Sequence, residues 1–161
     1  MLIRAQAPCL LLFKDMRTSD EGREFIQREE GFRLKRYRDQ AGLWTIGYGH
    51  LIKPGENYRQ ITKEKAEQLL KEDLRSAENG VNRLVDVPLN QAQFDALVSF
   101  TFNLGTTKLG VSTLLKVLNQ GKYDEVPRQL KRWIFAGGSP SRGLIKRRIR
   151  EATLFSHGVY A

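Results

Sequence analysis

One stretch, Phe32 to Ile52, interrupts a chain that otherwise reads as helical, and it limits the possible folds more than any other feature. Tyr37, Trp44, Ile46, Tyr48 and Leu51 are strand-formers, punctuated by Gly42, Gly47 and Gly49. Asp39-Gln40-Ala41-Gly42 supplies a turn, and Pro54-Gly55 closes the segment with a loop. The segment predicts a short antiparallel sheet or hairpin. On either side the periods are helical. Ser19 is a good N-cap, Asp20 and Glu21 suit the first turn, Phe25 and Ile26 give an apolar face, and Gly31 is a stop. Thr62 caps a run from Lys63 to about Val85, with Ala66, Leu69, Leu70 and Leu74 at helical spacing. Beyond Pro88, Asn90 caps a helix through Phe94, Ala96, Leu97 and Phe100. Further helices are expected around Ser112 to Asn119, Asp124 to Phe135, and Leu144 to Phe155, separated by Gly105, Gly110, Gly121 and Gly137-Gly138-Ser139-Pro140.

The expected class is therefore α+β: a small antiparallel sheet lobe (about 31–61), a linking helix (about 62–85) and a larger helical lobe (about 86–161). Two lobes joined by one helix leave a cleft, where ligands usually sit. The 161 residues suffice for one domain or two small lobes sharing a core. Residues 1–18 show no clear period and read as an N-terminal arm. Their apolar run, Ala7 to Phe13, holds Pro8 and is ended by Lys14, whereas a membrane span needs about 20 apolar residues. No stable membrane insertion is expected. Cys9 is the single cysteine, which excludes an intrachain disulfide, and His50 and His157 show no metal-ligand spacing. The 27 Lys and Arg against 18 Asp and Glu draw the chain toward polyanions without saying which.

The stretch from Glu30 to His50 carries the chemistry. Glu30 closes a predicted helix, Asp39 lies in the following turn, and Thr45 lies in the next strand. Glycoside hydrolysis needs one carboxyl group that stays protonated and a second that stays ionised, on opposite sides of the scissile bond. A helix end and a turn facing each other across a cleft can supply two such environments. Among 18 acidic residues many pairs could be drawn, so spacing alone does not select this one.

The surrounding pattern is more specific. Glu30-Gly31, Tyr37, Asp39, Gly42 and Thr45-Ile46-Gly47-Tyr48-Gly49-His50 closely resemble the phage lysozyme family, muramidases of T-even and lambdoid phages. Pro88-Leu89-Asn90-Gln91, Phe94-Asp95-Ala96-Leu97, Phe102-Asn103-Leu104-Gly105, Trp133 and Arg147-Arg148…Glu151…Leu154-Phe155 extend the likeness in order, from about residue 19 to about 156. The resemblance implies a lysozyme-like fold and an endolysin that hydrolyses, with inversion, the β-1,4 bond between N-acetylmuramic acid and N-acetylglucosamine in peptidoglycan. It implies Glu30 as general acid, Asp39 as second carboxylate and Thr45 as holder of the attacking water, with Leu51 and Phe102 contacting the glycan. No metal or cofactor is implied. Beside these, Glu29 reads as a solvated charge and His50 as a structural group beneath the sheet. The resemblance offers Arg147 as an arginine that pairs with the catalytic acid, but a solvated arginine is the expected default. The expected protein is a monomer that waits in the host cytoplasm for a holin to open the membrane, then reaches the periplasm and cell wall.

Three competitors stand beside this reading. A lytic transglycosylase uses a single acid, which Asp39 and Thr45 speak against. A basic nucleic-acid binder would draw on Lys146-Arg147-Arg148 and Arg150, but these share a helix with Leu144, Ile145 and Ile149, and nucleic acid is not an expected partner. A wall-binding protein without catalysis would not need the Glu, Asp and Thr together.

Overall fold

In the computed structural model, which describes residues 15–161, the chain enters the first described α-helix where Ser19 predicts. Helix α1 (Asp20–Glu30) is capped by the Ser19 hydroxyl, which accepts from the Gly22 N–H, and it stops at Gly31. Strands β1 (Arg33–Arg38), β2 (Trp44–Gly47) and β3 (His50–Leu51) then form an antiparallel meander in the order β1-β2-β3. Tyr37 stands opposite Thr45, and Thr45 opposite Leu51, while Ile46 is opposite His50. Because side chains alternate across a sheet, Thr45, Tyr37 and Leu51 share one face. Ile46 and His50 share the other, and both are buried.

Helix α2 (Lys63–Leu84) is capped by Thr62 and packs Ala66, Leu69, Leu70 and Leu74 inward, in contact with β2 and β3. Helix α3 (Gln91–Leu104) begins with a reciprocal cap between Asn90 and Gln93. It is buried on nearly every side from Phe94 to Thr101, because α1, α2, α4 (Thr106–Gly110) and α7 (Arg142–His157) all pack against it. A helix enclosed in this way loses the polar face of a surface helix. Helix α5 (Thr113–Asn119) is capped by Ser112, and a 3₁₀ turn (Tyr123–Glu125) leads into α6 (Val126–Leu130). Each fully buried Phe or Leu of this core contributes about 1.5–3 kcal/mol.

Two expectations need correction. The helix expected to reach Phe135 stops at Leu130. The carbonyls of Trp133 and Ile134 are taken instead by the Arg148 Nε–H (2.9 Å) and the Ser141 N–H (2.8 Å). Phe135–Ala136 (β4) and Ser139–Pro140 (β5) form a two-residue hairpin, whose turn residues Gly137 and Gly138 have φ of 58° and 83°. That is the geometry of a type I′ turn. Secondly, α4 fits between Gly105 and Gly110, both of which the sequence marks only as separators. The described end of the segment read as an arm, 1–18, is held to α2. The Met16 backbone N–H donates to Asn82 Oδ1 (3.2 Å), and buried Thr18 donates both its N–H and its hydroxyl to Glu78 Oε1 (3.1 and 2.8 Å). Ala7 to Phe13 and Cys9 lie outside the described residues. No helix among the described residues is long and apolar enough to cross a membrane.

Candidate active site

Glu30 is the last residue of α1, and its side chain is one-fifth exposed. The Arg147 Nη1–H donates to Glu30 Oε1 at 2.7 Å from α7, 117 positions away in sequence. The other oxygen, Oε2, faces Gly49 in the β2–β3 turn, 3.8 Å from where a Cβ would stand. The Phe32 ring packs on Tyr48 (centroids 4.8 Å apart), holding the start of β1 against this turn. One oxygen is thus anchored to the helical lobe and the other is directed at the sheet.

Arg147 is itself fixed. It is 5% exposed and donates through Nη2 to the Ser99 carbonyl (3.0 Å) and through Nε to Glu151 Oε1 (3.1 Å). Glu151, fully buried, also accepts from Arg148 Nη1 at 2.5 and 3.0 Å. Arg148 completes the chain by bonding Asn103 Oδ1 and lying over the Phe100 ring at 5.1 Å. Burial pushes the Glu151 carboxyl up, opposed by the two guanidiniums. Burial pulls Arg147 down, but Glu30 and Glu151 outweigh it and raise it. The expectation of a solvated Arg147 is therefore overturned, because α7 turns it inward onto carboxylates that the core would otherwise leave unpaired. Glu29 is corrected for the same reason. Its side chain is 6% exposed and pairs with Arg150 at 2.5 and 2.9 Å.

Asp39 sits just after β1 ends. Its Oδ1 accepts the N–H groups of Ala41 (2.9 Å) and Leu43 (2.8 Å), while Oδ2 has no hydrogen-bond partner among the described residues. The Thr45 hydroxyl, 3% exposed, donates to the Leu43 carbonyl at 3.2 Å. The Leu43 peptide therefore holds Asp39 by its N–H and Thr45 by its carbonyl, a link that sequence reading missed. Leu51 is exposed on the Thr45 face, and Phe102 is half-buried. Phe102 lines a pocket of about 130 Å³ with Thr101, Gly105 and Thr106. A groove of about 630 Å³ beside α2 shares Asp73, Ser76 and Thr106 with that pocket and reaches Lys53, but includes neither Glu30 nor Asp39.

His50 lies on the opposite face of the sheet, 3% exposed, with Nδ1 2.8 Å from Asp73 and Nε2 2.9 Å from Glu56. Burial opposes its protonation, but the bonds to Glu56 and Asp73 outweigh that and raise it above the ordinary histidine value. This agrees with a structural role, tying β3 to α2.

The phage lysozyme family matches residues 27–151. The chain belongs to the phage lysozyme family. The endolysin of Salmonella phage P22 is 44% identical over 144 residues, covering 87% of this chain and 98% of that protein. The endolysin of Bacillus phage B103 is 41% identical over 145 residues, which span 89% of this chain and 55% of that longer protein. The solved endolysin of Escherichia coli O157:H7 phage FAHEc1 superposes with a TM-score of 0.84 at 36% identity, over 91% of this chain and 98% of that one. The lysozyme-like α+β fold expected from sequence is therefore the observed one. Within that phage lysozyme frame, Arg147 and Glu151 were the residues hardest to see. Besides the family likeness of this segment, their signal is spacing: Arg147, Glu151, Leu154 and Phe155 recur at helical intervals on the stripe that α7 buries.

Proposed function

We propose that this glycoside hydrolase, an endolysin that degrades bacterial peptidoglycan, cuts the β-1,4 bond between N-acetylmuramic acid and N-acetylglucosamine, with Glu30 as acid and Asp39 and Thr45 handling water. The observation that carries the proposal is the division of labour within Glu30: Oε1 is held by Arg147, and Oε2 is directed at the sheet. A carboxyl fixed by one oxygen presents its proton on the other in a single direction, which suits donation to a leaving glycosidic oxygen. Asp39 has the complementary arrangement, one oxygen bound to backbone and the other open. With the Thr45 hydroxyl donating to Leu43, its lone pairs are left to accept from a water. That water would lie between Asp39 and the sugar and attack from the face opposite the leaving group, giving inversion.

Leu51 and Phe102 belong to this proposal as glycan contacts on the sheet lobe (about 31–61) and the helical lobe (about 86–161), either side of the linking helix. So does action as a monomer that passes through a holin-opened membrane to the wall. The test compares wild type with Glu30→Gln on chloroform-permeabilised Gram-negative cells, following turbidity and the mass of the released products. Clearing slowed by at least about a hundredfold, the scale of losing a general acid, with hydrated reducing ends in the wild-type products, supports the proposal. Equal clearing would remove Glu30 as the acid, and 1,6-anhydro products would make the enzyme a transglycosylase.

A further inference from the structure

The turn that presents Asp39 depends on the orientation of one peptide group. The Leu43 N–H donates to Asp39 Oδ1 at 2.8 Å, and the Gly42 carbonyl of that same peptide accepts from Arg38 Nη1 at 2.8 Å. A peptide unit is planar, so the two bonds hold opposite ends of one plane, and turning it over would break both. Gly42 stands at φ 79° and tolerates a wide range of backbone angles, so the chain itself does little to fix this plane. The remaining bonds of the turn lie in other peptides. Asp39 N–H donates to the Leu43 carbonyl and Gly42 N–H to the Asp39 carbonyl, each at 2.9 Å, and Ala41 N–H donates to Asp39 Oδ1 at 2.9 Å. Among the described residues the Gly42 carbonyl has no partner besides Arg38.

Arg38 is the last residue of β1 and stands opposite Trp44 in the sheet. Its guanidinium lies 4.4 Å from the centroid of the Trp44 ring. Stacking of this kind restrains a long, exposed side chain that water would otherwise leave free, and so keeps the guanidinium at the Gly42 carbonyl. A charged donor on a carbonyl also polarises the peptide, which strengthens the N–H bond that Asp39 receives at the other end. Arg36 touches the same ring, also at 4.4 Å, but its side chain makes no hydrogen bond to the turn among the described residues. With Oδ1 of Asp39 held by two N–H groups, the direction of Oδ2 is set by the turn.

We propose that Arg38 is a positioning residue for the hydrolysis, acting through the Gly42–Leu43 peptide to fix the direction of the free oxygen of Asp39. The proposal rests on the assignment of Asp39 as the second carboxylate. The experiment compares Arg38→Met, Arg38→Lys, Arg36→Met and Asp39→Asn with wild type. It measures kcat and KM on soluble glycan strands of peptidoglycan, and amide hydrogen exchange by NMR. Arg36→Met removes the same charge from the same strand and the same ring. The expected result for Arg38→Met is a kcat lowered about tenfold, within the cost of a small misplacement of a catalytic group, with KM unchanged. Its Leu43 amide exchanges faster, while its circular dichroism matches wild type because the side chain is exposed. Arg38→Lys, which keeps a cationic donor, recovers most of the kcat, and Arg36→Met leaves both kcat and the Leu43 amide near wild type. An unmoved Leu43 amide in Arg38→Met would overturn the proposal, as would equal losses of kcat in Arg36→Met and Arg38→Met. A wild-type kcat in Arg38→Met beside an inactive Asp39→Asn would overturn it while the assignment of Asp39 stands. A fully active Asp39→Asn would instead remove that assignment, and the role of Arg38 with it.

Discussion

Replacing Glu151 with Gln should destabilise the enzyme far more than its neutral chemistry suggests. Glu151 has no exposed side-chain area and accepts from Arg147 at 3.1 Å and from Arg148 at 2.5 and 3.0 Å. Those arginines are 5% and 0% exposed, so water cannot replace the lost charge. The wild-type cluster of Arg147, Arg148, Glu151 and Glu30 balances two positive with two negative charges. Glu151→Gln leaves Arg147 with Glu30 alone and Arg148 with no carboxylate partner, and turns one accepting oxygen into an amide donor aimed at an arginine. Breaking a buried pair on one side costs about 3–5 kcal/mol. For a domain of this size each kcal/mol shifts Tm by about 2–4 °C, so the fall should be on the order of 10 °C. Urea unfolding followed by circular dichroism gives the free energy directly. Arg148→Met combined with Glu151→Leu restores balance with apolar groups and should recover most of the loss. A cost below about 1 kcal/mol for Glu151→Gln, or a double variant worse than the single, would refute the reasoning.

Two further perturbations probe other parts of the fold. Because His50 titrates above 6.5 in the folded chain, its contribution is fully present below that pH and is lost as pH rises through the raised value. The Lys53 N–H, then His50, hold the Glu56 carboxyl below its ordinary 4.5, so that contribution is lost only as pH falls through the lowered value. Wild-type Tm should therefore decline above pH 6.5, and His50→Gln should flatten that decline; an unchanged slope would count against the pairing. Gly22→Ala places a methyl group 2.5 Å from Asp95 Cγ, and Asp95 is held by Ser19 and Tyr160. The expected loss is about 1–3 kcal/mol by thermal unfolding, and a neutral result would show that Asp95 moves freely.

The sequence by itself determined the local structure and the catalytic candidates. Ser19, Thr62, Asn90 and Ser112 each cap a helix as their side-chain chemistry requires, since a cap needs only an oxygen within three residues of free N–H groups. Glu30, Asp39 and Thr45 lie within 16 positions, joined by a helix end, one strand and one turn, so their relation is nearly local. The tertiary structure alone decided what surrounds them. Arg147 meets Glu30 across 117 positions, and Arg150 meets Glu29 across 121. That Arg147 and Arg148 both point inward depends on the rotation of α7 against α3, a packing outcome that no local pattern encodes. The segment after α6 is tied by a contact of the same kind, since Arg148 on α7 donates to the Trp133 carbonyl. Short-range hydrogen bonding can be read along the chain, but the pairing of charges waits until burial removes water as the alternative partner.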